Sequence, residues 1–294
     1  MPETRTWVRD PWPRRRRRAA TALTYAVLAL VALWVLLPLW TLVWTAFDPT
    51  LKGYPSEFQL WPREWSLSVI SSTFQKPAQS LSFLGLLKNS LFVAGTAAAI
   101  SVVFGASMAY AFARMRFPGR TAGGFAILAG AFLPAVALMV PLYVLLEAVG
   151  LRKTQMGLAL VYAAMAMPLA LWLMRAAFAA VPKELEEAAF LDGAGRFQTF
   201  RRVTLPLAAP SIVVAALLAF LIGYAEFALG WLFVEKGTDV TIAMAMSGAE
   251  IGVFGPTWSR LAALVLLSIV PVVLVFVVLQ RWFLRSPLYG GTDT

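Results

Sequence analysis

The 294 residues are 60% hydrophobic and only 14% charged, with a mean hydropathy of +0.74. Soluble domains carry roughly 25% charge, so the composition is that of an integral membrane protein. There is no Cys and no His, which excludes disulfides, thiolate nucleophiles, Cys/His metal centres and imidazole acid–base catalysis. A net charge of +10 would suggest nucleic acid in a soluble protein, but here it points first to basic loops that fix orientation.

Residues 1–18 form a polar, basic tail with Pro2, Pro11, Pro13 and the run Arg14 to Arg18. The apolar stretch that follows, 19–47, exceeds the h-region of about 7–15 residues found in cleaved signals. It is therefore expected to be an uncleaved first span with a cytoplasmic N-terminus. The arginines read as a topology marker with attraction to anionic lipid as a corollary, and binding to nucleic acid is the alternative.

A bilayer core about 30 Å thick needs about 20 apolar residues of helix. Charge-free runs of that length occur six times, at 19–47, 89–113, 121–146, 154–174, 203–225 and 261–280. The fifth is expected to begin near Leu207 and to continue past Glu226 to Val234. Lys and Arg on the side of the N-terminus number seven, three, five and two in successive segments, seventeen of the twenty-five, against eight on the other side. The positive-inside rule then places both termini, and the interval 181–206, in the cytoplasm.

The first external loop, 48–84, is the longest. Trp61 and Trp65 lie one turn apart, which predicts a short interfacial helix with its rings at headgroup level; contact with a partner protein is the other reading. The second span ends in Ala109-Tyr-Ala-Phe-Ala-Arg-Met-Arg-Phe-Pro-Gly-Arg120, with Arg at the negative pole of the helix and Pro118-Gly119 as the stop. Pro134 and Pro141 in the third span and Pro168 in the fourth predict bends. The Gly, Ala and Ser residues of 95–107 suit close helix packing.

The polar interval 181–206 separates two apolar segments. Pro182 suits a helix start, and Glu184, Glu186 and Glu187 complement the positive end of that helix. Asp192-Gly193-Ala194-Gly195 is breaker chemistry, so the helix should stop near Gly193. A second amphipathic piece, 196–203, is expected to place Phe197, Phe200 and Val203 on one face and to end at Leu205-Pro206. The product is helix, glycine turn, helix. Glu226 is the one acid within an apolar run and should lie in the outer half of the bilayer; it reads either as a pathway or subunit-interface group or as a solvated interfacial acid. Tyr224 and Trp231, on either side of it, could stack on a sugar or anchor in the aromatic belt.

Glu187-Ala-Ala, three residues, Gly193, nine residues, Val203, one residue and Leu205-Pro206 resemble the "EAA" loop of bacterial ABC-importer permeases, with Val203 where that family more often has Ile. The segment 109–120, Asn89-Ser90 and Asp192-Gly193-Ala194 are similar to sugar-class permeases of the maltose/maltodextrin type. The resemblance runs from about Asn89 to the C-terminus and implies an all-α type I ABC-importer permease fold of six transmembrane helices. It further implies a coupling helix (Glu186, Glu187, Ala188, Ala189, Leu191, Asp192, Gly193, with Phe197, Leu205 and Pro206) that docks on an ATP-hydrolysing subunit. Met244, Met246, Gly248, Glu250 and Gly252, in the external loop 235–259, would contact an extracytoplasmic sugar-binding protein. Gly290 and Gly291, in the tail 284–294, would reach the ATPases. The family has an acid at the position of Glu226. The implied partners are a second, non-identical permease subunit, two copies of an ATP-binding subunit, the sugar-binding protein and membrane lipid, in the bacterial inner membrane.

No GxxxxGK[ST] loop occurs in the sequence, so the chain is expected to be noncatalytic, with ATP and Mg on partner subunits and no cofactor of its own. An ion-gradient-driven secondary transporter is the alternative, disfavoured by a single intramembrane acid and no visible repeat. A membrane-embedded enzyme is disfavoured because no cluster of acids, His or Cys is present.

Overall fold

A computed structural model describes residues 14–51, 59–77, 81–249 and 258–283, and among them every regular element is helical. The long helices are α1 (Arg14–Phe47), α3 (Phe83–Arg114), α6 (Gln155–Ala180) and α13 (Trp258–Phe283), with α10 (Ala209–Ala225) somewhat shorter. Shorter helices are α2 (Ser68–Gln75), α4 (Arg120–Gly130), α5 (Ala135–Ala148), α7 (Lys183–Leu191), α8 (Arg196–Thr199), α9 (Leu205–Leu207), α11 (Ala228–Phe233) and α12 (Ile242–Ala249).

The parallel pair α3 and α6 is the centre of the bundle, with Val93 beside Leu158, Ser101 beside Ala163 and Tyr110 beside Phe178. Ala94, Ala97, Ala98, Ala106 and Ala109 of α3 and Ala159, Ala163, Ala166 and Ala170 of α6 are all buried, and such small side chains let two helix backbones approach closely without an aqueous hydrophobic driving force. Ser101 donates across the seam to the Ala163 carbonyl at 3.1 Å as well as to Ala97 in its own helix. α10 packs against this pair, where Gly223 lies so close to α3 that an added Cβ would stand 3.2 Å from the Ala94 Cα.

Two of the expected spans differ in form. In place of one helix over 121–146 there are α4 and α5, separated by a turn at 131–134 that ends at Pro134 in extended conformation. Proline cannot supply the helical N–H, and here it starts a new helix rather than bending an old one. The fifth apolar run is not one continuous helix through Glu226: α10 ends at Ala225, Glu226 is extended (φ −76°, ψ 134°), and α11 begins two residues later. At its other end α10 meets the preceding helical segment, Arg196–Leu207, at 80°. Four described helices are long and apolar enough to cross a membrane, or five if that bent pair is one span.

α1 is lipid-like in exposure along most of its length and is held only near its end. Ala46 packs with Val69 of α2 and Ala262 and Ala263 of α13. The Trp40 indole donates to the Leu60 carbonyl at 2.8 Å and meets the Trp61 ring edge-on at 5.0 Å, with Trp65 at 6.4 Å. Residues 59–67 are not helical: Pro62 lies between the two tryptophans, whose rings converge on Trp40 instead of lining one helix face.

Asp48, just beyond α1, is fully buried. Its carboxylate accepts from the Thr50 hydroxyl and amide and from the Arg63 amide at 2.6–2.9 Å, and its carbonyl accepts from Ser259 of α13. Burial alone would raise its pKa, but the hydrogen bonds from Thr50 and Arg63 and the charge of Arg63 outweigh it, and the carboxyl titrates below its ordinary value of 3.8. A depressed carboxyl contributes stability that is present above pH 3.8 and is lost as pH falls through the folded-state value. Melting in detergent is therefore expected to be insensitive to this group near neutrality and to weaken below about pH 4, and Asp48→Asn should remove that acid-side component. An unchanged acid limb in the variant would count against it.

Candidate functional site: an exposed helix-turn-helix at one end of the bundle

α7 follows Pro182, which occupies the N-cap position in extended conformation, and carries Glu184 and Glu186 in its first turn, where the helix dipole favours acids. It ends on Gly193 at φ +83°. The Ala194 amide donates to the Ala189 carbonyl at 2.9 Å and the Gly193 amide to Phe190 at 3.0 Å, the paired bonds of a left-handed glycine stop. The turn expected from Asp192-Gly193 is thus the turn observed.

The second arm differs from a plain α-helix. After α8, residues Phe200–Thr204 form a π-helical turn that leads through α9 to Ala208. Phe197 is 74% exposed, while Phe200 is drawn inward onto the rings of Tyr110 (4.7 Å) and Phe178 (5.9 Å). Leu205-Pro206 does not end the helical segment; the break is at Ala208.

The acids of α7 divide. Glu187 is exposed, together with Ala188, Asp192 and Gly193, and Leu191 is 89% exposed; Ala189 is half-buried. Glu186 is turned the other way: its Oε1 lies 3.1 Å from Nε of Arg114, at the end of α3, and accepts from the Thr204 hydroxyl at 2.6 Å. Arg114 also donates to the Val181 carbonyl at the end of α6. Both side chains of the pair are 8% exposed. Between the arms is a cleft of about 320 Å³ lined by Ala189, Asp192, Gly193, Gln198, Thr199 and Arg202, among others.

At the opposite end, Asn89 donates to the carbonyls of Thr238 (2.7 Å) and Val240 (2.9 Å), and the Ser90 hydroxyl accepts from the Ile242 amide at 2.8 Å. The Asn89-Ser90 pair, expected only from resemblance, thus fixes the segment that leads into α12. Met244 of α12 is fully buried against Gly230 of α11, so its side chain does not reach a surface; Met246 and Gly248 are half-buried, with Gly248 against the Trp231 ring. Glu250, Gly252, Gly290 and Gly291 lie outside the described residues. Glu235 nearby is paired with Lys153 at 2.7 Å and Arg152 at 3.0 Å, and the hydrogen bond from Lys153, with that cation's charge, holds its carboxyl below the usual range.

Both carboxylate oxygens of Glu226, at 3.1 and 3.2 Å, accept from the Leu229 amide in the first turn of α11, and its carbonyl accepts from the buried Tyr162 hydroxyl. The acid is thereby satisfied by the half-helix it interrupts. Tyr224 is buried and donates to the Ser268 carbonyl of α13 at 3.0 Å, a cross-helix contact within the chain. Among the described residues no group of three or more acidic, His or Cys side chains is placed to hold a metal ion.

Apolar helices long enough to cross a bilayer, with an exposed helix-turn-helix at one end, are the architecture of a multi-pass membrane protein. Residues 101–287 match the family described as binding-protein-dependent transport system inner membrane component, and the chain belongs to that family of inner-membrane ABC transporter permeases. It is 32% identical over 278 residues to the diacetylchitobiose uptake system permease protein NgcG of Streptomyces coelicolor, covering 93% of this chain and 89% of that protein. It is 31% identical over 265 residues to the trehalose/maltose transport system permease protein MalG of Thermococcus litoralis, covering 89% and 93%. A bacterial ABC transporter involved in import of the acidic polysaccharide alginate has a chain that superposes with a TM-score of 0.74 over 93% of this chain and 100% of its own, at 22% identity, a likeness of fold.

Proposed function

We propose that this chain is the permease subunit of an ATP-driven importer for a di- or oligosaccharide, and that 181–206 is the cytoplasmic docking element for an ATP-hydrolysing partner. The observation that carries the reading is the exposed α7 arm. Leu191 and Phe197 are large apolar side chains presented to water on a structured loop outside the bundle, and such side chains are the usual anchors of a protein interface. Glu187 and Asp192 add charge at the rim of the same face.

In this reading the membrane domain has six spans, α4 with α5 forming the third and the segments on either side of Glu226 the fifth, with both termini in the cytoplasm as the basic loops suggest. A second permease subunit completes the pathway, two ATPase copies bind below, and an extracytoplasmic sugar-binding protein approaches the α12 end. ATP and Mg are held by the ATPases, and this chain contributes binding surface and movement but no bond chemistry. Closure of the ATPases carries the docked loop with it and reorients the spans between inward and outward access. Relatives named for diacetylchitobiose, trehalose and maltose support a short oligosaccharide as cargo.

The test is reconstitution of the chain with its partner permease and ATPase in vesicles, followed by uptake of maltose, trehalose and diacetylchitobiose with the binding protein present. Uptake of at least one sugar that requires ATP and persists when ion gradients are collapsed is expected. Uptake by the chain alone, without ATP and abolished by an ionophore, would establish the secondary-transporter alternative instead.

A further inference from the structure

The docking reading leaves open how movement of a short surface helix reaches the membrane spans, since a loop that flexed would dissipate it. Four elements converge on two side chains beneath α7. Arg114 is the last residue of α3; it bonds Glu186 of α7 and the carbonyl of Val181 that ends α6. The same Glu186 oxygen accepts from Thr204, fully buried in the π-helical turn that feeds α10. Directly alongside, Tyr110 of α3, Phe178 of α6 and Phe200 of the π-turn form a mutual ring cluster with centroids 4.7–6.1 Å apart. Hydrogen bonds to ionised groups are short and directional, and a pair at 8% exposure has little water available to replace a lost partner.

From this convergence we propose that Glu186, Arg114 and Thr204 form a rigid junction that makes α7, the ends of α3 and α6 and the π-turn move as one body, so that these are positioning residues for coupling rather than docking residues. The proposal rests on the docking reading. Its face is opposite to that of Leu191: one side of α7 meets the partner while the other is bolted to the spans. The π-turn is part of the device, because it carries at its two ends the inward-facing Phe200 and Thr204.

The chain has no cysteine, so introduced cysteines are unique sites for spin labels. Labels at Glu184→Cys in α7 and Phe104→Cys in α3, both exposed, report one distance in the full complex in nanodiscs, nucleotide-free and vanadate-trapped. In the otherwise unsubstituted chain, and in Thr204→Ser, which keeps the hydroxyl, the distance is expected to be the same in both states. Glu186→Gln and Thr204→Val should make it state-dependent and lower ATP hydrolysis in the presence of the binding protein by at least about fivefold, the lower end of a coupling between linked sites. A distance that already changes in the unsubstituted chain, or that stays constant in the variants, overturns the junction. Thr204→Val leaves the ion pair intact and decides the matter if Glu186→Gln does not accumulate. If no ATPase accompanies even the labelled unsubstituted chain, the docking reading itself has failed and the junction falls with it; a retained ATPase with unaltered coupling in the variants removes the junction alone.

Discussion

Leu191→Glu should release the ATPase. The leucine is 89% exposed, so the substitution leaves the chain's own packing untouched, and the variant should melt in detergent as the unsubstituted protein does. In the complex the same side chain would be a buried anchor. A carboxylate at the centre of an apolar contact is expected to cost about 2 kcal/mol or more, on the order of thirtyfold in affinity. Glu187→Lys, a charge reversal on the same face, should weaken association in the same direction and make it depend on salt. Affinity purification through a tag on this chain, with the ATPase in the eluate quantified, reads the effect. Full recovery of the ATPase with both variants would mean that α7 is not the docking surface.

The second large effect is on stability and concerns Gly157 in the first turn of α6. A Cβ built there would lie 2.2 Å from the Leu151 carbonyl oxygen and 3.1 Å from its carbon. That carbonyl is not free to retreat: it accepts from the Thr154 hydroxyl at 2.7 Å, and the same hydroxyl accepts from the Gly157 amide at 3.0 Å, so the methyl group would drive the helix cap apart. Gly157→Ala is expected to destabilise the protein by about 3 kcal/mol. Gly95→Ala, at a position with nothing within 4 Å, should be neutral or slightly stabilising. Melting of the two variants in the same detergent compares them directly, and equal melting would refute the packing argument.

Much of the helix-turn-helix at 183–207 is legible in the sequence because its signals are local. The acidic first turn and the glycine stop are short-range chemistry, and both appear in the structure where expected. What separates Glu186 from Glu187 is not local: the partner that turns one of them inward is Arg114, 72 residues earlier in the chain, and no periodicity in a nine-residue helix reveals it. An α-helical period puts Phe197 and Phe200 on one face, and the tertiary partners that draw only Phe200 inward, Tyr110 and Phe178, lie far away in the sequence. The break at Glu226 was hidden for a similar reason. Neither Gly nor Pro stands between Ala225 and Ala228, and hydropathy counts apolar residues without seeing backbone direction. Pro134, in contrast, did mark the division of the third apolar run, although its effect was a new helix start and not a bend.

The attachment of α1 has a consequence for how the protein is made. None of the most apolar window of the helix is buried, and its contacts are with residues 60–69 and with α13. During synthesis it precedes Trp258–Phe283 by more than 200 residues and must be stable without that partner until the ribosome has delivered it. After the arginine run it carries no charged side chain, and its Thr24, Thr41 and Thr45 hydroxyls bond to carbonyls of the helix itself, so lipid alone satisfies it. The seam between α1 and α13 therefore forms late, and the buried Asp48 and Ser259 contact that seals it joins residues 211 apart in the sequence.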